Sequence, residues 1–138
     1  MESLAQLFEE TVRDIYYAEK KILKALPKMG QNAGSPNLAT AFEMHIAETD
    51  AQVERLEEVF ELIGKAPRGK TCPAIDGILE EGEEIKKDAN DDTVRDAGML
   101  AAAQAAMSSP AMARYPDKCV IPIFASRLAG YCSSTGYS

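Results

Sequence analysis

Side chains that can bind a metal ion interrupt two segments whose apolar residues otherwise recur at helical spacing. Glu19 interrupts the first segment, and His45 and Gln52, with Glu48 beside them, interrupt the second. An ionised carboxylate in an apolar core is unfavourable by several kcal/mol unless a partner or a cation neutralises it. Carboxylate oxygens with imidazole or amide ligands suit iron or manganese. The four side chains therefore predict a carboxylate-type metal site, and no residue is assigned to catalysis or to an organic cofactor.

Each of these residues also has an interpretation without a metal. His45 could be a hydrogen-bonded core histidine, Gln52 could hydrogen-bond across a bundle, and Glu19 could extend towards nearby lysines. The Glu-x-x-His pair of di-metal bundles is absent, because Ala51 follows Glu48 at that spacing and Gln52 comes one position later. The second hypothesis is therefore a non-catalytic helical protein that dimerises or binds another partner and holds no metal.

A first long helix is predicted to carry Glu19. It begins at Ser3, which forms a capping box with Gln6. Pro27 is expected to bend or end this helix, and GQNAGSPN to form the turn that follows. The expected inward stripe is Phe8, Val12, Ile15, Glu19, Ile22 and Leu26.

A second long helix begins with Ser35 as its N-cap and Pro36 at its first position, and Gly64 closes it. Its expected inward stripe is Leu38, Phe42, His45, Thr49, Gln52, Leu56, Val59 and Ile63. The short turn predicts an antiparallel hairpin.

The pairing of the two stripes predicts where the polar residues meet. If Leu26 faces Leu38 and Phe8 faces Val59, Glu19 lies opposite the turn from His45 to Glu48. Two interruptions at one level would then share a cation.

Two shorter helices are expected to follow. The third spans about residues 74 to 87 and the fourth begins near Thr93. The expected inward residues are Ile75, Ile78, Leu79 and Ile85 on the third helix, and Val94, Ala97, Leu100, Ala101 and Gln104 on the fourth. Three prolines interrupt the chain beyond Met107, where no helical stripe continues. The organisation expected is a helical domain over residues 1–106 and an irregular tail over residues 107–138.

The charge, the hydropathy pattern and the cysteine spacing argue against several classes of function. The formal charge is −7 and the isoelectric point near 4.8, which argue against nucleic-acid or anionic-membrane binding. The sequence shows neither a membrane-spanning run nor a signal segment, so a cytoplasmic location is expected. Cys72, Cys119 and Cys132 lack metal-ligand spacing, and a cysteine nucleophile would have only His45 as its base.

Three stretches resemble the YciE/YciF family of ferritin-like proteins: DIYYAEKKILKALPKM, HIAETDAQVERLE and KTCPAIDGILEEG. The resemblance covers about residues 4 to 105. It implies an all-α, ferritin-like antiparallel helical bundle that forms a homodimer and belongs to bacterial stress responses. It also implies iron or manganese ligands at Glu19 and Glu48, with His45 and Gln52 nearby, and further ligands on later helices.

The sequence departs from this family after LAAAQA, where the family continues with a Glu-His-Tyr-Glu-type stretch and a last acidic helix. Here Ala106 is followed by Met107, Ser108, Ser109 and Pro110. The departure implies that only half of a di-metal site is present and that the redox activity implied by the family is impaired. The ending is typical of a shifted reading frame, and another frame of the coding DNA is expected to encode the acidic helix.

Overall fold

The computed structural model describes residues 3–107, except for the side chain of residue 107. This part of the chain is all-α and contains no strand, as the sequence predicted. Its helices are α1 (Leu4–Asn32), α2 (Pro36–Leu62), α3 (Pro73–Asp88) and α4 (Asp92–Met107). Apart from Met107, which ends α4, the tail expected over residues 107–138 lies outside the described residues, as does the last helix that it was expected to replace. Across residues 3–107 no helix has the combination of length and apolar character that a bilayer crossing requires.

The capping residues of α1 and α2 are those that the sequence predicted. The Ser3 hydroxyl accepts a hydrogen bond from the backbone N–H of Gln6 (3.2 Å), and Pro36 occupies the first turn of α2 behind the N-cap Ser35. Beyond the end of α2, Gly64 has a φ of +69°, a left-handed conformation that glycine adopts without strain. The two helix starts and the glycine stop are therefore local properties of the sequence.

Pro27, which was expected to bend or end α1, lies inside the helix and does not end it. The helix continues to Asn32, and the turn to α2 is only Ala33–Ser35. Proline removes one helical hydrogen bond, but the residues beyond it pack on α2. Met29 is buried there, and a Cβ built on Gly30 would lie 3.6 Å from the Phe42 Cβ. This packing favours continuation of the helix.

The longer α1 changes its pairing with α2. The Tyr16 hydroxyl donates to the Glu57 carboxylate (3.0 Å), and the Tyr16 ring meets Phe60 edge-on with centroids 5.4 Å apart. One turn further along α1, Glu19 therefore faces about residues 53–56 of α2.

The expected pairing of Glu19 with His45 to Glu48 is thus displaced by about two turns of α2. The same contacts replace the expected pairing of Phe8 with Val59, and Phe8 is half exposed. The cause is the position of the turn. Because α1 ends later than Pro27, each of its residues meets a later residue of α2.

Helices α3 and α4 form a second antiparallel hairpin at close approach. Glycines permit it, because a Cβ at Gly82 would lie 3.0 Å from the Ala102 Cβ, and one at Gly98 would overlap the Ile85 side chain. Ile75 is buried, and Ile78 and Leu79 are partly buried, as expected, whereas Ile85 is 39% exposed although it packs beside Gly98.

The inward face of α4 differs from the expected one. Val94 is 58% exposed, and Ala97, Ala101 and Gln104 are also exposed. The buried residues are Asp96, Met99, Ala102, Ala103 and Ala106. Helix α4 is therefore rotated about its axis relative to the prediction. The cause is polar, because the buried residue Asp96 lies on the inward face, and a search for apolar periodicity does not detect it.

Asp96 fastens α4 to the turn between α1 and α2. Its Oδ1 accepts from the backbone N–H of Gly34 (2.8 Å) and its Oδ2 from that of Ser35 (2.9 Å). The side chain is buried, and ionised acceptors make stronger hydrogen bonds than neutral ones. A single carboxylate therefore joins the two hairpins at one end of the bundle.

The other hairpin junction lies between α1 and the start of α3. The Tyr17 hydroxyl donates to both carboxylate oxygens of Asp76 (2.7 and 3.0 Å), and the Lys21 Nζ lies 3.5 Å from Asp76 Oδ1. The backbone N–H of Lys70 donates to the carbonyl of Arg13 (3.1 Å). Together these contacts place α3 along α1.

We expect Asp96→Ala to lower the free energy of unfolding by about 2 kcal/mol, because two hydrogen bonds to a charged acceptor are lost. Urea denaturation followed by circular dichroism measures it. Asp88→Ala, at an exposed acid on α3, is the matched control and should change the free energy by less than about 0.5 kcal/mol. Equal effects of the two substitutions would contradict the anchoring role of Asp96.

Candidate metal centre

A polar layer divides the interior of the bundle. It consists of Glu19 on α1 and of His45, Thr49 and Gln52 on α2, all buried as the sequence predicted. On the side of the α1–α2 turn lies a cluster that draws on all four helices, centred on Ala18, Ile22, Leu26, Leu38, Phe42, Ile75, Met99 and Ala103. On the other side lies a cluster from α1 and α2, formed by Val12, Ile15, Tyr16, Val53, Leu56 and Phe60.

Glu19 is the most confined ionisable side chain of this layer. It is 1% exposed, and its Oε1 atom has no hydrogen-bond partner among the described residues. Loss of hydration raises the pKa of the carboxyl group from its ordinary value of 4.5 to about 8. Without a cation, Glu19 is therefore largely protonated at neutral pH. A bound cation would favour its ionised form.

His45 and Glu48 lie next to each other at the edge of the layer. The His45 Nδ1 atom is 3.9 Å from Glu48 Oε2, which is longer than a hydrogen bond. The histidine is buried, whereas the Glu48 side chain is 27% exposed. A cation between them would have one protein ligand from the interior and one that also contacts solvent.

The four predicted ligands all belong to the polar layer, but they lie at different heights along the helix axes. Gln52 lies closest to the level of Glu19, and Glu48 and His45 lie one to two turns before Gln52, nearer the start of α2. Within residues 3–107, no three side chains of His, Cys, Asp or Glu are grouped closely enough to hold a metal ion. The ligand set of Glu19, Glu48, His45 and Gln52 thus stays a prediction.

Thr49 is a member of the layer that was not assigned a role from the sequence. It is 0% exposed, and its Oγ1 atom has no hydrogen-bond partner among the described residues. The sequence did place Thr49 in the inward stripe of the second helix, one turn after His45. A threonine in a helix can, however, satisfy its hydroxyl by bonding to the carbonyl three or four residues earlier, so its position in the stripe alone assigns it no role.

Of the three cysteines, only Cys72 lies in the described part of the chain. Its thiol is buried at the N-cap of α3 and packs into the cluster on the turn side. Cys119 and Cys132 lie outside the described residues.

The arrangement defines a class: an all-α bundle of two hairpins with a buried carboxyl group in its core. The family described as "Domain of unknown function (DUF892)" matches residues 3–128, and the chain belongs to this family. That match extends beyond residue 105, where the resemblance to YciE/YciF stretches ends.

Among curated proteins, the chain is 36% identical to Protein YciF of Escherichia coli K12 over 106 residues, which are 75% of this chain. It spans 63% of the length of that relative. The similarity to YciF confirms the family that the three sequence stretches indicated.

Two solved structures share the fold. One is YcfI from Rhodopseudomonas palustris, with a TM-score of 0.74, 36% identity and coverage of 99% of this chain and 80% of that one. The other is the E. coli stress protein YciF, with a TM-score of 0.72, 29% identity and the same coverages.

The protonation of Glu19 predicts how stability depends on pH when metal is removed by a chelator. The folded-state pKa, about 8, lies above the unfolded value of 4.5. The stabilising effect of the proton is therefore complete below pH 4.5 and is lost as the pH rises through 8.

Glu19→Gln removes this dependence, because glutamine does not ionise. Between pH 5 and pH 8 we expect the wild-type free energy of unfolding to fall by roughly 3 kcal/mol relative to that of the variant. The slope for one proton is about 1.4 kcal/mol per pH unit. Urea denaturation at several pH values measures it. Parallel curves for the two proteins would show that the metal-free protein holds Glu19 ionised.

Proposed function

We propose that this protein binds a divalent iron or manganese ion in the polar layer between α1 and α2. Glu19 is the anchoring ligand, Gln52 is the α2 side chain at its level, and Glu48 and His45 supply further donors along α2. Within residues 3–107 these four side chains form only a partial site. The role in the cell that we infer is that of a stress-associated protein, in line with the description of E. coli YciF.

One observation supports the proposal above the others: the buried Glu19 oxygen has no hydrogen-bond partner among the described residues. A buried carboxyl group is stable when it is protonated, hydrogen-bonded or bound to a cation. The layer around it contains an imidazole and an amide, and a second carboxylate lies at its edge. This donor chemistry suits iron and manganese, which accept mixed oxygen and nitrogen ligands.

A bound iron ion would supply one-electron redox chemistry with dioxygen or a peroxide. The residues of the chain bind it and limit access to it. The two apolar clusters flank the layer, and the Glu48 side chain at its edge is partly exposed to solvent.

Metal content measures the proposal directly. After incubation of the full chain with Mn²⁺ and removal of excess ion, we expect bound manganese by elemental analysis in the wild type. We expect a loss of at least about tenfold in affinity in Glu19→Gln, because the anchoring ligand becomes neutral. Glu48→Gln should have a smaller effect, since Glu48 lies at the edge of the layer.

Glu58→Gln, at an exposed acid on α2, is the matched control and should bind manganese as the wild type does. Equal manganese in all four proteins would show that the ion is held elsewhere. An absence of bound manganese in the wild type would contradict the proposal.

A second candidate function is that of a non-catalytic helical protein that dimerises and holds no metal. It rests on an apolar surface at the far end of the first hairpin, formed by Leu4, Leu7, Phe8 and Leu62. Leu4 is 85% exposed and Leu62 is 86% exposed. The start of α1 and the end of α2 lie together there, since Lys65 pairs with Glu9 (3.8 Å). Clustered exposed apolar residues are typical of association surfaces.

If this end surface mediates dimerisation, Leu62→Glu should weaken the dimer by about tenfold or more, because a charge replaces an apolar contact. Analytical ultracentrifugation over a concentration series measures the dissociation constant. Val94→Glu places the same charge at an exposed apolar residue near the opposite end, where Asp92 contacts Gly34. An equal effect of both variants, or a wild type that is monomeric, would contradict this role.

A further inference from the structure

We draw no further inference here: the strongest candidate, the exposed and uncharged face of α4 formed by Ala97, Ala101, Gln104 and Ala105, is a surface of mostly small apolar side chains, and nothing in the structure of residues 3–107 shows what covers it.

Discussion

The burial of the Glu19 carboxyl group between two helices is the constraint on which the rest of the structure depends. Removal of this group from water destabilises its ionised form, and its pKa therefore rises to about 8. The apolar clusters on either side of the layer keep the ionised carboxylate unfavourable, because they surround it with apolar side chains. A protein that keeps a carboxyl group in this position therefore has to protonate it or neutralise it with a cation.

The second hairpin is attached mainly at the turn end of the first. Asp96 binds the backbone of the α1–α2 turn, and Tyr17 and Lys21 bind Asp76 at the start of α3. The cluster between them draws on all four helices, whereas the cluster beyond the polar layer draws on α1 and α2. The polar layer thus marks the boundary between a four-helix region and a two-helix region of the described chain.

This boundary relates the two candidate functions to different parts of the molecule. The proposed cation site is in the layer and would depend on a buried carboxyl group, whereas the proposed association surface is at the far end of the two-helix region. The family comparison establishes the relation to YciF. The chemistry of the layer depends on its own residues.

The sequence by itself determined the helices, their starts and most of the buried stripe. Ser3, Ser35 and Pro36 act within one turn of the chain, and the spacing of Glu19, His45 and Gln52 places them on inward faces whatever the partner helix is. Periodicity also placed Thr49 inward, but a spacing pattern does not tell where a hydroxyl points.

Only the tertiary structure decided which residues meet. Packing of Met29 and Gly30 against α2 carried α1 past Pro27 and displaced Glu19 from His45, because favourable contacts between helices outweigh one lost hydrogen bond. In the same way, hydrogen bonds from the turn drew Asp96 inward and rotated α4 away from its apolar pattern. Both depend on groups distant in sequence, and local spacing contains no information about such contacts.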